Sequence, residues 1–256
     1  MIKSVKILAI GNSFSIDAME YLWHTLRAGG VEEVTLGNLY IPGCPVSLHA
    51  DNIASDAHTY VYYKNTEGTW RATPEASLTD GLLDEEWDII TLQQASHDSG
   101  LPETYARQGE VIAHVNRHKR NPAARLYWQM TWAYQSDSNH WAFPRYGCDQ
   151  AAMYNAILGA VKSEILTNPA YAGVIPSGVA IQNLRATPVG DTVTRDGFHM
   201  SESHGRYTVS LLWAQTLCGV DPDTVDWMPE AFADVIRPDL AYIREAVRAA
   251  GQVDWA

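Results

Sequence analysis

"KILAIGNSFSIDAMEYLWHTL", residues 6–26, decides how the chain is built. The apolar run over residues 5–11 ends at Gly11, and Met19, Leu22, Trp23 and Leu26 then repeat at helical spacing. A buried strand that turns through a glycine into an amphipathic helix is the opening unit of an α/β protein. The helix is expected over residues 17–29, with Asp17 of "DAME" as its cap and Glu20 three residues on. Ser13 and Ser15 stand at the turn between strand and helix, where a polar side chain is placed for chemistry rather than packing.

The same alternation continues outward. Further β-rich runs occur at 34–41, 87–94, 125–132 and 172–181, each separated by enough chain for a crossover helix. Besides 17–29, helices are expected at 103–120, 147–166 and 203–218, and over 228–250 in two pieces broken near Pro238. This pattern predicts a three-layer α/β/α sandwich around a parallel sheet of about five strands. "TYVYYKNTEGTWRAT", residues 59–73, interrupts the alternation and reads as a β-hairpin attached to the sheet or standing over it. No repeat or Pro/Gly/Ser linker divides the chain, so residues 1–256 are expected to form one domain.

Composition narrows the function classes. The 256 residues are 46% hydrophobic, enough for a full core, and carry a formal net charge of −12. No basic surface is available for a phosphate backbone or an anionic membrane, so neither nucleic acid nor membrane is an expected partner. Cys44, Cys148 and Cys218 are odd in number and widely spaced, which predicts free thiols rather than a disulfide framework or zinc site. The N-terminal apolar run is too short for a signal h-region or a membrane span, and the expectation is a cytoplasmic protein, although a removed leader would leave no trace.

In an open α/β sheet the turn after the first strand is a favoured ligand position, and the following helix N-terminus presents free N–H groups. "GNSFSIDAM" has neither the GxxxxGK[ST] nor the GxGxxG pattern, which argues against a phosphate loop. The other reading is a nucleophilic serine, which needs a histidine base and a carboxylate to orient it. "TRDGFHMSESHGRY", residues 194–207, supplies both. Asp196 and His199 are three apart, so the carboxylate reaches the Nδ1 side of the ring and leaves Nε2 for the serine proton.

With these blocks in this order the chain resembles the SGNH, or GDSL-like, hydrolase superfamily, in a bacterial branch with a variant third block. The resemblance spans residues 11–199 and implies a flavodoxin-like sheet and a serine esterase using Ser13, His199 and Asp196 through an acyl-enzyme. It further implies an oxyanion hole formed by the N–H groups of Ser13 and of Gly43 in "YIPGCPVSLH", with a third donor from the third block. There the family's GxND is replaced by "TLQQASHDSG". Counting places Ala95 at the glycine, His97 at the asparagine and Asp98 at the aspartate; the alternative is a side-chain amide, Gln94 or Gln93, as in the sialate O-acetylesterase-like branch. Gln94 is favoured as the oxyanion donor, with Gln93 and His97 as candidate substrate contacts. No metal or organic cofactor is implied.

Each residue also has a plainer reading. Ser13 alone is a common helix-initiating residue, Asp196 a turn residue, His199 a packed histidine and Gly43 a left-handed turn. His114 and His118 have metal-pair spacing, but without a HExxH glutamate or a third ligand they read as a helix face. His204 is expected on the helix after the Asp–His loop, and His49 and His97 on loops bordering the site. Nine Trp and thirteen Tyr against four Phe favour rings with a polar handle, some at "LYWQMTWAY" and "NHWAFPRY". The loops are polar, so a short acyl ester of a carbohydrate, such as acetyl, is the expected substrate. A lipase- or thioesterase-type acyl hydrolase and a catalytically silent carbohydrate-binding protein are the alternatives.

Overall fold

The structure is a computed structural model that describes residues 2–255. Seven strands form one sheet: β1 (Ser4–Gly11), β2 (Glu33–Tyr40), β3 (Tyr60–Asn65), β4 (Arg71–Ala76), β5 (Ile89–Leu92), β6 (Arg125–Gln129) and β7 (Gly173–Ile175). Their order is β4-β3-β2-β1-β5-β6-β7. The five strands β2-β1-β5-β6-β7 are parallel, in the expected flavodoxin-like order. The sheet exceeds the expected five strands because the hairpin β3–β4 extends its β2 edge antiparallel.

The strand sequences account for this placement. β1 and β5 are apolar with almost every residue buried, as strands covered by helices on both faces must be. β4 is exposed over five of its six residues and carries Arg71, Pro74 and Glu75, which suits an edge that must not recruit another strand. On one face of the sheet pack α1 (Ser13–Met19), α2 (Leu22–Ala28), α7 (Ser177–Arg185), α8 (His204–Cys218) and α10 (Leu240–Gly251). On the other lie α3 (Val46–Ser55), α4 (Leu78–Asp84) and α5 (Gln108–His118). Among the described residues the remaining α-helices are α6 (Gln150–Ala160) and the short α9 (Ala233–Ile236). α8 is buried on most of its circumference because α1, α2, α7 and α10 all pack around it.

Three expectations are corrected. The first helix begins at Ser13, not Asp17: Asn12 caps it by accepting from Phe14 N–H at 3.1 Å, and it breaks at Glu20–Tyr21 before α2. The strand read over 172–181 is only Gly173–Ile175, because Pro176 ends it and the apolar residues beyond belong to α7. His49 lies on α3, fully buried, not on a loop.

Among the described residues all three cysteines are free. Among the described residues no helix is long and apolar enough to cross a membrane.

Candidate active site

Strand order brings the site together. β1, β2 and β5 lie side by side, so the segments leaving their carboxyl ends converge: Asn12–Ser13 after β1, Pro42–Gly43 after β2, and Ser96–His97 after β5. A cleft of about 250 Å³ opens there over Ser13, with Tyr40, His140, Trp141, Phe198 and His199 among its walls.

Ser13 is the first residue of α1, so its N–H has no acceptor inside the helix and its side chain points out of the turn. Its Oγ lies 2.8 Å from His199 Nε2, and His199 Nδ1 lies 2.6 Å from Asp196 Oδ2. The Asp196 Oδ1 accepts the backbone N–H of His199 at 2.8 Å and of Phe198 at 3.2 Å. Burial pushes the Asp196 carboxyl up, but these hydrogen bonds from His199 and Phe198 outweigh it and leave its pKa below the ordinary 3.8. The carboxylate is therefore ionised at neutral pH and holds the Nδ1 proton on the ring, which leaves Nε2 free to accept from Ser13.

Aromatic packing fixes the histidine. Phe14 stacks on Trp132 at 4.1 Å, the Trp132 indole N–H donates to Phe198 C=O at 2.7 Å, and Phe198 lies 4.1 Å from the His199 ring. Farther in, Asp17 is fully buried and joins the two halves of the site. Its carboxylate accepts from Arg195, Arg206 and Met200 N–H, each at 2.8 Å. Asp17 lies one turn beyond Ser13 on α1, while Arg195 and Met200 flank the loop that carries Asp196 and His199. The cap role read for Asp17 is thus replaced by a tie between helix and loop.

Gly43 has a φ of +58°, and a side chain built there would face open space. The left-handed turn favours glycine, and it also presents the Gly43 backbone to the cleft.

The third block departs from the expectation. Gln94 is fully buried and turned away from Ser13: its Oε1 accepts Val46 N–H and Ala95 N–H at 2.9 Å, and its Nε2 donates to Thr104 C=O and Oγ1 at 3.1 Å. The oxyanion role read for Gln94 does not fit this geometry, because both ends of its amide are committed to the backbone. Gln93 is likewise no substrate contact. It lies beneath the turn, donating to Asn12 Oδ1 at 2.6 Å, so close to Gly11 that an added Cβ would come within 2.9 Å of it. Ser96 and His97 face the cleft instead. Burial lowers the His97 pKa and Arg145 adds to this, against an opposing effect of Asp98 at 3.6 Å, so the ring is neutral at pH 7. The amide geometry yields a test. Gln94→Ala leaves Val46 N–H, Ala95 N–H and Thr104 C=O without their partner, at about 1–3 kcal/mol of stability. The kcat of the folded fraction is expected to change less than tenfold, whereas loss of an oxyanion donor costs roughly 10²–10³-fold.

Four more of the histidines singled out in the sequence lie outside the cleft. His114 and His118 lie on α5 with His114 Nε2 3.1 Å from Thr79 Oγ1, and His204 begins α8 and bonds Asp239 at 2.9 Å. Among the described residues no cluster of acidic, His and Cys side chains could hold a metal ion. His49 Nδ1 is 2.8 Å from Tyr60 Oη and 3.6 Å from Cys44 Sγ, next to Gly43. Burial pushes its pKa from 6.5 down to about 4. A base whose folded pKa lies below its unfolded value contributes full stability above the unfolded pKa, and this is lost as pH falls. Urea unfolding is therefore expected to show about 3 kcal/mol lost between roughly pH 6.5 and pH 4. Much of that slope should vanish in His49→Gln, and an unchanged slope in the variant would rule out His49 as its source.

Residues that sequence reasoning did not assign to the site include Tyr40, His140, Trp141 and Phe198. Trp141 is 66% exposed at the cleft mouth, with the Arg145 guanidinium 4.9 Å from its ring. The aromatic run "NHWAFPRY" was a signal of composition, but nothing in it indicated that this loop reaches across to β1.

Comparisons with known proteins agree with this architecture. A DUF4886 family protein from Bacteroides uniformis has a structure that superposes with a TM-score of 0.88 at 35% identity, over 97% of this chain and 93% of that one. A lipase/acylhydrolase from Enterococcus faecalis superposes at 0.55 with 15% identity, covering 84% of this chain and 96% of that one. A protein from Slackia heliotrinireducens described as an SGNH hydrolase superposes at 0.53 with 19% identity, covering 84% and 99%. No curated protein matches the sequence. The family model described as "Domain of unknown function (DUF4886)" matches residues 6–241, and the chain belongs to that family, on the fold shared with the SGNH hydrolases.

Proposed function

We propose that the protein is a serine esterase of the SGNH type that hydrolyses short acyl esters, acetyl above all, on a carbohydrate. The observation that carries this reading is the hydrogen-bonded chain Ser13–His199–Asp196 beneath an open cleft. Ser13 Oγ attacks the ester carbonyl carbon while His199 Nε2 takes its proton, and Asp196 stabilises the imidazolium that forms. The N–H groups of Ser13 and Gly43 meet the negative charge on the tetrahedral oxygen. Collapse breaks the bond to the alcohol oxygen, which takes the proton from His199 and leaves as the free alcohol. Water, deprotonated by the same ring, then attacks the acyl-Ser13 carbonyl, and the acid departs as Ser13 regains its proton.

Two features support a short acyl group and a hydroxylated alcohol part. The cleft holds only about 250 Å³, with Pro42, Gly43 and Phe198 among its walls, a space that suits a short acyl group better than a long alkyl chain. At its mouth stand neutral His97 and exposed Trp141, a flat ring suited to a sugar face.

The test is hydrolysis of p-nitrophenyl esters from acetate to octanoate, with labelling by a serine-directed fluorophosphonate. Acetate is expected to be the best ester, and labelling to be confined to Ser13. Rates that climb with chain length would favour the lipase-type reading, and a protein neither active nor labelled would favour a silent binding protein on the same fold.

A further inference from the structure

A second cavity, of about 280 Å³, lies beside the Ser13 cleft. It is lined by Ile16, Glu20, Asn38, Tyr40, Tyr63 and Trp70, and Tyr40 lines both spaces. Its walls come from α1, the carboxyl end of β2 and the hairpin β3–β4: Tyr63 sits opposite Asn38 in the β2–β3 register, and Trp70 immediately precedes β4. The hairpin that interrupts the parallel alternation therefore builds this space next to the site.

We infer that this cavity is the subsite for the alcohol part of the ester, and that it takes a single pyranose ring. The inference rests on the esterase reading for the chemistry at Ser13, but the chemistry of the cavity is its own. Three aromatic side chains, Tyr40, Tyr63 and Trp70, line it, and the Tyr40 and Tyr63 rings meet edge to face at 6.0 Å. Such rings pack on the C–H face of a sugar. One polar group is also left unsatisfied where a sugar hydroxyl could complete it. Asn38 Oδ1 accepts from Ser15 Oγ at 2.9 Å, but its amide nitrogen is buried with no partner. Tyr40, Tyr63 and Trp70 are half-buried, so their polar ends stay open to a ligand hydroxyl.

Two competing occupants fit less well. An alkyl chain would bury these donors and hydroxyls without partners, at about 1–3 kcal/mol for each. A quaternary ammonium would want a carboxylate free to face it. Glu20 is not free, because Arg206 stands 3.8 Å away, and burial raises its pKa. A hydroxylated ring can donate to Glu20, accept from Asn38 and leave Arg206 undisturbed. The volume is close to the lower bound of about 300 Å³ for small-molecule sites, which suits one ring.

The experiment compares wild type with Trp70→Ala and Tyr63→Phe on two esters, 6-O-acetyl-glucose and p-nitrophenyl acetate, and titrates each protein with methyl β-glucoside while following the ¹⁵N-indole NMR resonances. The expected result is a selectivity ratio, sugar ester over p-nitrophenyl ester in kcat/KM, lowered about tenfold or more by Trp70→Ala. The loss should be smaller for Tyr63→Phe, which keeps the ring and removes only the hydroxyl. The Trp70 indole resonance should move on titration in wild type. A ratio unchanged by Trp70→Ala, or an indole resonance that does not respond to the glucoside, overturns the assignment. The titration needs no turnover, so it decides the subsite even if both esters resist hydrolysis and the esterase reading itself fails.

Discussion

Ser13→Ala is expected to lower kcat for acetyl-ester hydrolysis by about 10⁴-fold or more, with almost no loss of stability. On the proposed mechanism the kinetic magnitude follows from removing the nucleophile of a unit whose members act together, so that the remaining His199 and Asp196 would have nothing to activate. The structural half of the expectation comes from the cap. Asn12, not Ser13, accepts the Phe14 N–H that starts α1, and Gln93 supports the Asn12 oxygen from below. Ser13 Oγ bonds only His199, so its loss leaves no buried group orphaned, and the stability change is expected within about 0.5 kcal/mol. Steady-state kinetics and thermal unfolding measured on the same preparation decide the matter. Retained turnover in a folded Ser13→Ala protein would move the chemistry elsewhere.

The second large effect is expected at a residue outside the cleft. Asp17→Ala removes the carboxylate that Arg195, Arg206 and Met200 N–H share, and it leaves the Arg206 guanidinium, 13% exposed, without its buried partner. Breaking a buried ion pair from one side costs about 3–5 kcal/mol, which lowers Tm by roughly 6–20 °C in a chain of this size. Catalysis should fall as well. Asp17 fixes how α1 sits against the Asp196–His199 loop, and a shift of about 1 Å between reacting groups costs on the order of 10²-fold. Asp17→Asn keeps an oxygen for Met200 N–H while losing the charge, and is expected to be intermediate in both measurements. A Tm within 1–2 °C of wild type for Asp17→Ala, a margin of under about 1 kcal/mol, would mean that the arginines find other partners.

Asp17 also marks the boundary of what the sequence could say. "DAME" followed by an apolar helical repeat has the form of a capping box, and local pattern alone has no means to reject it. The decisive facts are distant: Arg195 and Arg206 lie 178 and 189 residues away, and their guanidinium groups reach Asp17 only once α8 packs on α1. Gln94 shows the same limit from the other side. A side-chain amide at a strand end beside an expected active site is a reasonable oxyanion donor on chemistry. Its true partners, Val46 N–H and Thr104, come from segments on either side of it in sequence that only the fold brings together.

What the sequence determined by itself is the architecture and the chemical candidates. Continuous apolar runs alternating with helical ones specify a parallel α/β sheet, because strands covered on both faces and their crossover helices leave those patterns locally. The GNS turn and the DGFH loop were legible for a similar reason: a helix start and a three-residue carboxylate–imidazole spacing are short-range geometry, and the loop alone brings Asp196 to 2.6 Å from His199. That neither third-block amide faces the cleft, which carboxylate ties helix to loop, and the cavity that the hairpin builds beside Ser13 were decided only by tertiary structure. Each depends on side chains from three or more elements meeting at one point, and that meeting is set by strand order and core packing, which no local stretch of sequence records.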